Sequence, residues 1–159
     1  MISTYRSVAG RIRQELPAVA QVAIRASGSL DAATSSGDDR YIDAVALNLH
    51  AFYSGLEHLF EQIARRIDES MPSGASWHQD LLIQMASPMS DVRPPVISGD
   101  LRDRLDRYRG FRHVVRNVYT YNLDSGQVAL LVRALPETST KVASELAAFA
   151  DFLEEAARA

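Results

Sequence analysis

Ile42, Val45, Leu49, Phe52, Leu56, Phe60, Ile63 and Ile67 recur at three- and four-residue spacing, and no other stretch constrains the fold as much. That period is one face of an α-helix. It predicts about 28 residues of helix, near 42 Å at roughly 1.5 Å rise per residue. Asp38 or Asp39 stands ready to cap its start, and MPSG at 71–74 stops it. A helix this long and one-sided is the spine of a helical bundle. Its polar flank holds Asp43, His50, Ser54, Glu57 and Glu61 in a narrow arc. His50 and Glu57 are two turns apart, so both can face one neighbour. The plainer reading, a solvated flank beside the core stripe, is the expected one.

The remaining segments fit around that spine. Val8, Ile12, Leu16, Val19, Val22 and Ile24 predict a first helix over 4–26, with Ser3 as its cap and Pro17 as a kink or break. Gly28 is expected to stop it, and 29–39 to form a loop. Ser76 caps a short third helix through Met85, with Trp77, Leu81, Leu82 and Met85 inward. His78 sits in its first turn with no evident partner. The proline-rich stretch 87–97 is a loop. Ser98 or Asp100 starts a long fourth helix, which Asp124 ends. Asp124 also caps a short fifth helix, Gln127 to Leu135, before Pro136 breaks the chain. A last helix runs from about Thr138 to Arg158 on Val142, Leu146, Phe149 and Leu153. No segment alternates apolar and polar at period two, so strands are not expected. The fold class is all-α: an antiparallel bundle of four main helices plus short ones, with 1–159 as one domain, a size that allows a sizeable core.

The chemistry concentrates in the fourth helix, at 108–124, which reads YRGFRHVVRNVYTYNLD. Phe111, Val114, Val115, Val118 and Tyr119 fall on one broad side with Leu101, Leu105 and Tyr108. Arg109, Arg112, Arg116, His113 and Asn117 share the other. Such a strip is either an anion site or a solvated face. An arginine strip consumed by salt bridges within the chain would count against the first. The net charge of −3 supplies no global attraction to nucleic acid, so any RNA contact is local. The 17 basic residues include one lysine, and arginine is the side chain that forks onto phosphate or carboxylate.

Other chemistries lack their signatures. His50, His58, His78 and His113 show no metal-ligand spacing, and no serine sits in a nucleophile elbow. No cofactor motif, glycine-rich phosphate loop or DNA-reading motif occurs. Absence of cysteine excludes disulfides and suits a cytoplasmic location. No apolar run reaches membrane-spanning length, and the N-terminus lacks a secretion-signal core. What remains is metal-free cleavage of a phosphodiester. It needs a base for the 2′-hydroxyl, a proton for the leaving oxygen, and positive donors for the phosphorane.

GFRHVVRNVY at 110–119 resembles the signature of HepT-like proteins of the HEPN superfamily: Gly-Phe-Arg, a polar residue, three positions, His, any residue, Tyr. YIDAVALNLHAFYSGLEHLFEQIARRID and PSGASWHQDLL resemble the long second helix and turn of a HepT-like subfamily. The resemblance covers roughly 40–135. It aligns Arg112 with the motif arginine, His113 with the polar residue and Tyr119 with the tyrosine. The motif histidine is replaced by Asn117, which cannot exchange a proton near neutral pH.

The resemblance implies a homodimer in which two protomers bring arginine and histidine together and cut RNA without metal. The composite cleft would hold Arg112, His113, Arg116, Asn117 and Tyr119, with Arg109 and Arg116 on phosphate and Glu57 and His50 as accessory groups. It also implies control by a nucleotidyltransferase antitoxin that attaches AMP to Tyr119, with Tyr121 as the nearby alternative. With Asn117 at the histidine position, the acid/base role moves to His113 or His50, or is lost. Three readings therefore stand: a toxin-type endoribonuclease, a degenerate module that binds a nucleotide or a nucleotidyltransferase, and a helical interaction protein without a ligand.

Overall fold

A computed structural model describes the backbone of residues 1–117 and 124–159 and the side chains of 1–112 and 124–159. Five helices form: α1 (Ile2–Ser36), α2 (Arg40–Arg66), α3 (Trp77–Met85), α4 (Gly99–Asn117) and α5 (Ser125–Ala156). The all-α expectation holds. Among the described residues there is no strand, only an isolated bridge between Met89 and Arg93.

α2 lies at the centre, as its stripe requires. Leu49, Phe52, Leu56, Phe60 and Ile63 are fully buried. α1 packs along α2 and α5, α4 closes against α2 and α5, and α3 fills the space between α2 and α4. The pairing of α4 with α5 is antiparallel. Ser98 meets Glu145 at one end, and the Tyr108 hydroxyl donates to the Leu131 carbonyl at 2.7 Å further along. Phe52 of α2 meets Tyr108 of α4 edge-on, with ring centroids 5.5 Å apart. No helix among the described residues is long and apolar enough to cross a membrane.

Two boundary expectations are corrected. α1 does not stop at Gly28 but continues to Ser36, and it starts at Ile2 with no side-chain cap from Ser3. α5 is one helix across Pro136 rather than two. The buried stripe runs past both prolines without a phase change: Ile12 and Val19 flank Pro17, while Val132, Leu135, Thr138 and Val142 span Pro136. Past Gly28 the α1 stripe continues only through Leu30, which packs partly buried against the core. Both prolines lie on the exposed side of their helices. Hydroxyls also bond near the second: Thr138 Oγ1 donates to the Ala134 carbonyl and Thr140 Oγ1 to that of Pro136. Continuous burial on one face outweighs a local cost of about 3 kcal/mol for an interior proline.

α1 ends instead at Gly37, whose φ of 69° is left-handed and whose N–H donates to the Ala33 carbonyl at 3.0 Å. Asp38 then accepts the Arg40 N–H at 3.0 Å, starting α2. The two glycines predict opposite effects. Nothing lies within 4 Å of a Cβ built on either Gly28 or Gly37. Gly28→Ala, inside a helix, should raise stability by about 0.5–1 kcal/mol. Gly37→Ala should lower it by about 1–2 kcal/mol through the left-handed backbone alone. Urea midpoints of the two variants, with unchanged slopes, check both signs.

The chain from α2 to α4 is held by a buried ion pair. Arg93 Nε and Nη2 donate to the two oxygens of Asp68 at 2.6 and 2.7 Å, and both side chains are 0% exposed. Arg93 also donates to the carbonyls of Ser87, Pro94 and Gln84. Gln84 Nε2 donates to Asp68 at 2.7 Å. This network fixes the proline-rich loop and sets where Ser98 starts α4. Ser98 Oγ accepts the Leu101 N–H at 3.1 Å, acting as the cap.

Candidate functional site

The centre of the site is a carboxylate expected to be solvated. Glu57 is 3% exposed, so the plain reading of the α2 flank fails at this residue. One turn of polar sequence faces inward because α3 and α4 close over it with polar groups of their own. Arg112 Nη1 of α4 donates to Glu57 Oε1. His78 Nδ1 of α3 lies 2.8 Å from Glu57 Oε2. A single carboxylate thus ties three helices together. Trp77 stacks on His78 with ring centroids 3.6 Å apart and planes at 29°. Trp77 itself is half-buried against the core, as expected of an anchor.

Arg112 is held rather than mobile. Its side chain is 16% exposed. Its Nε is buried and has no hydrogen-bond partner, and neither has Ser54 Oγ, three residues before Glu57. A guanidinium has five N–H donors, so an arginine bound to one carboxylate oxygen retains capacity for a second anion. Tyr53, one turn before Glu57, is 1% exposed. Burial pushes its hydroxyl pKa well above the ordinary tyrosine value, and the Glu57 charge adds to this. Arg109 and Arg112 oppose the shift without cancelling it. Tyr53 is therefore a neutral hydroxyl at any physiological pH.

The arginine strip divides. Arg109 is engaged by Asp106 of its own helix at 2.7 Å. Arg112 is engaged by Glu57. Both pairings within the chain count against a strip free for anions, more so for Arg112, whose partner is buried, than for Arg109, whose partner is exposed. The backbone of His113, Arg116 and Asn117 belongs to α4, but their side chains lie outside the described residues, as do Tyr119 and Tyr121 altogether. His50 is half-buried two turns before Glu57 on α2. Of the residues expected at the site, the structure brings together Glu57 and Arg112. It adds His78, which sequence reasoning left without a partner. The usable signal was Glu57 itself: a carboxylate beside a core stripe asks for a donor, and His78 opens the next helix.

A second concavity lies between α4 and α5. It encloses about 680 Å3 and is lined by Arg104, Arg107, Tyr108, Phe111, Leu130 and Arg133, among others. Arg104 is occupied by Asp100 and Glu137. The floor is apolar, with Leu130 65% exposed.

Comparison with known proteins places the chain. No curated protein and no solved structure matches it. The family model described as "HepT-like protein" matches residues 44–153, which include Glu57, His78, Arg112 and Asn117. α1 lies outside the matched segment. The match spans most of the chain and every helix that contributes to the Glu57 cluster, so this protein belongs to the HepT-like family.

Proposed function

We propose that this chain is a metal-independent endoribonuclease of a toxin–antitoxin pair, working as a cytoplasmic homodimer and controlled by a nucleotidyltransferase antitoxin. The observation that carries the reading is Arg112: the motif arginine is mostly buried and oriented by a buried carboxylate, with Nε still unpaired. A guanidinium fixed in a low-dielectric setting stabilises phosphorane charge more than a solvated one. Around it, His113, Arg116, Asn117 and Tyr119 of both protomers would line the cleft. Arg116 would be the main phosphate contact, with Arg109 offering the donors that its Nε bond to Asp106 leaves free. An AMP group on Tyr119 would bring negative charge to the same helix and compete for its arginines.

The second reading is a decayed nuclease that binds a nucleotide or the nucleotidyltransferase. Asn117 favours it, as does the pairing of Arg109 and Arg112 within the chain. Incubation of the purified protein with a mixed-sequence oligoribonucleotide pool in EDTA separates the two. The nuclease reading expects products ending in a cyclic phosphate. It also expects Arg112→Ala to lose about 100-fold or more in rate. Arg112→Lys, which keeps a charge beside Glu57, controls for folding. An inert wild type combined with an active Asn117→His would establish the second reading instead.

A further inference from the structure

We infer that His78 supplies the proton-transfer imidazole that the motif lacks at Asn117. The assignment rests on the nuclease reading above and names its missing base. Glu57 accepts from Arg112 through one oxygen and from His78 through the other. The imidazole and the phosphate-directed guanidinium are therefore one carboxylate apart, on α3 and α4. A carboxylate that accepts from Arg112 accepts from Nδ1–H as well, which fixes the proton on Nδ1. Nε2 is left with its lone pair free of Glu57, the form a general base needs. No described residue hydrogen-bonds to Nε2, and the side chain is 28% exposed.

The ring is also held in place. Trp77 stacks on one face at 3.6 Å, and the Nδ1–Glu57 bond sets its rotation. Packing alone does not call for this arrangement. A buried carboxylate shared between two polar side chains is costly to desolvate, and apolar residues would fill the space at less cost. Ser54 Oγ, buried and unpartnered, lies three residues before Glu57 on the same helix.

The step balances as follows. Nε2 of His78 takes the proton of the 2′-hydroxyl. The O2′–P bond forms and the P–O5′ bond breaks, with Arg112 facing the phosphoryl oxygens. The departing 5′-oxygen takes a proton from water, and the imidazolium returns its proton to the hydroxide so formed. No oxidant or metal enters. The products are a cyclic phosphate and a 5′-hydroxyl.

The test is cleavage of the same oligoribonucleotide pool in EDTA by wild type, His78→Gln, His78→Ala and His58→Gln. Glutamine can still donate to Glu57, so His78→Gln preserves the structural bond while removing the base. The inference expects His78→Gln to melt like wild type and bind RNA like wild type, yet cut about 100-fold more slowly or worse. His58→Gln, an exposed histidine of α2, should be unchanged. Added imidazole should partly restore His78→Ala, which a purely structural histidine would not show. An active wild type matched by an equally active His78→Gln overturns this assignment and leaves the nuclease reading standing. An inert wild type overturns both.

Discussion

Arg93→Ala should destabilise the folded chain by about 3–5 kcal/mol, the cost of leaving a buried charge without its partner. Asp68 and Arg93 are both fully buried and meet through two parallel bonds. Removing the guanidinium also strands the carbonyls of Ser87, Pro94 and Gln84, to which it donates. A loss of that size approaches half the stability of an ordinary domain, so the variant should populate unfolded chain near physiological temperature. The paired change Asp68→Leu with Arg93→Met should not restore it. It removes the charges but leaves the carbonyls unpaired, and each unpaired buried group costs about 1–3 kcal/mol. Urea unfolding checks both statements. A loss below about 1 kcal/mol for Arg93→Ala would mean that the loop is not held as described.

Glu57→Ala is the second large effect, and its pattern should differ. It leaves Arg112 mostly buried without a counter-ion, for a loss of about 3 kcal/mol. Here the double change Glu57→Leu with Arg112→Met should return to within about 1 kcal/mol of wild type, because a buried pair replaced by apolar residues of similar size is often neutral. His78 would lose its acceptor but is exposed enough for water to take over. On the nuclease reading both variants should fail to cut RNA, so stability would be rescued without activity. That split separates what the cluster does for the fold from what it does for chemistry. A Glu57→Ala protein as stable as wild type would show that the α2–α4 ion pair does not form in solution.

Much of the bundle was legible because burial is periodic. The α2 stripe from Ile42 to Ile67 and the inward side of α4, Leu101, Leu105, Tyr108 and Phe111, are placed as their spacing requires. What failed was punctuation. Pro17 and Pro136 are local stop signals, yet the flanking apolar residues keep one phase and packing along whole helices decides the outcome, while past Gly28 α1 runs on with only Leu30 against the core. Arg112 was found through a short motif in its helical context. Its partner was only half visible. Glu57 was noticed as polar beside a core stripe, but the bond to His78 joins residues 21 positions apart on different helices. Nothing in local spacing encodes which donor a carboxylate will meet once α3 folds back over α2.

α1 contributes nothing to the Glu57 cluster and lies outside the segment shared with the family, yet it lies along both α2 and α5. Val8, Ala9, Ile12, Val19, Ala23 and Ala26 are its buried contribution. The borders of kinship and the borders of the hydrophobic interior therefore do not coincide. A fragment cut to 44–153 would retain every residue of the shared signature and present a long greasy trench to water. The matched segment holds the functional groups, and a helix outside it keeps their scaffold dry.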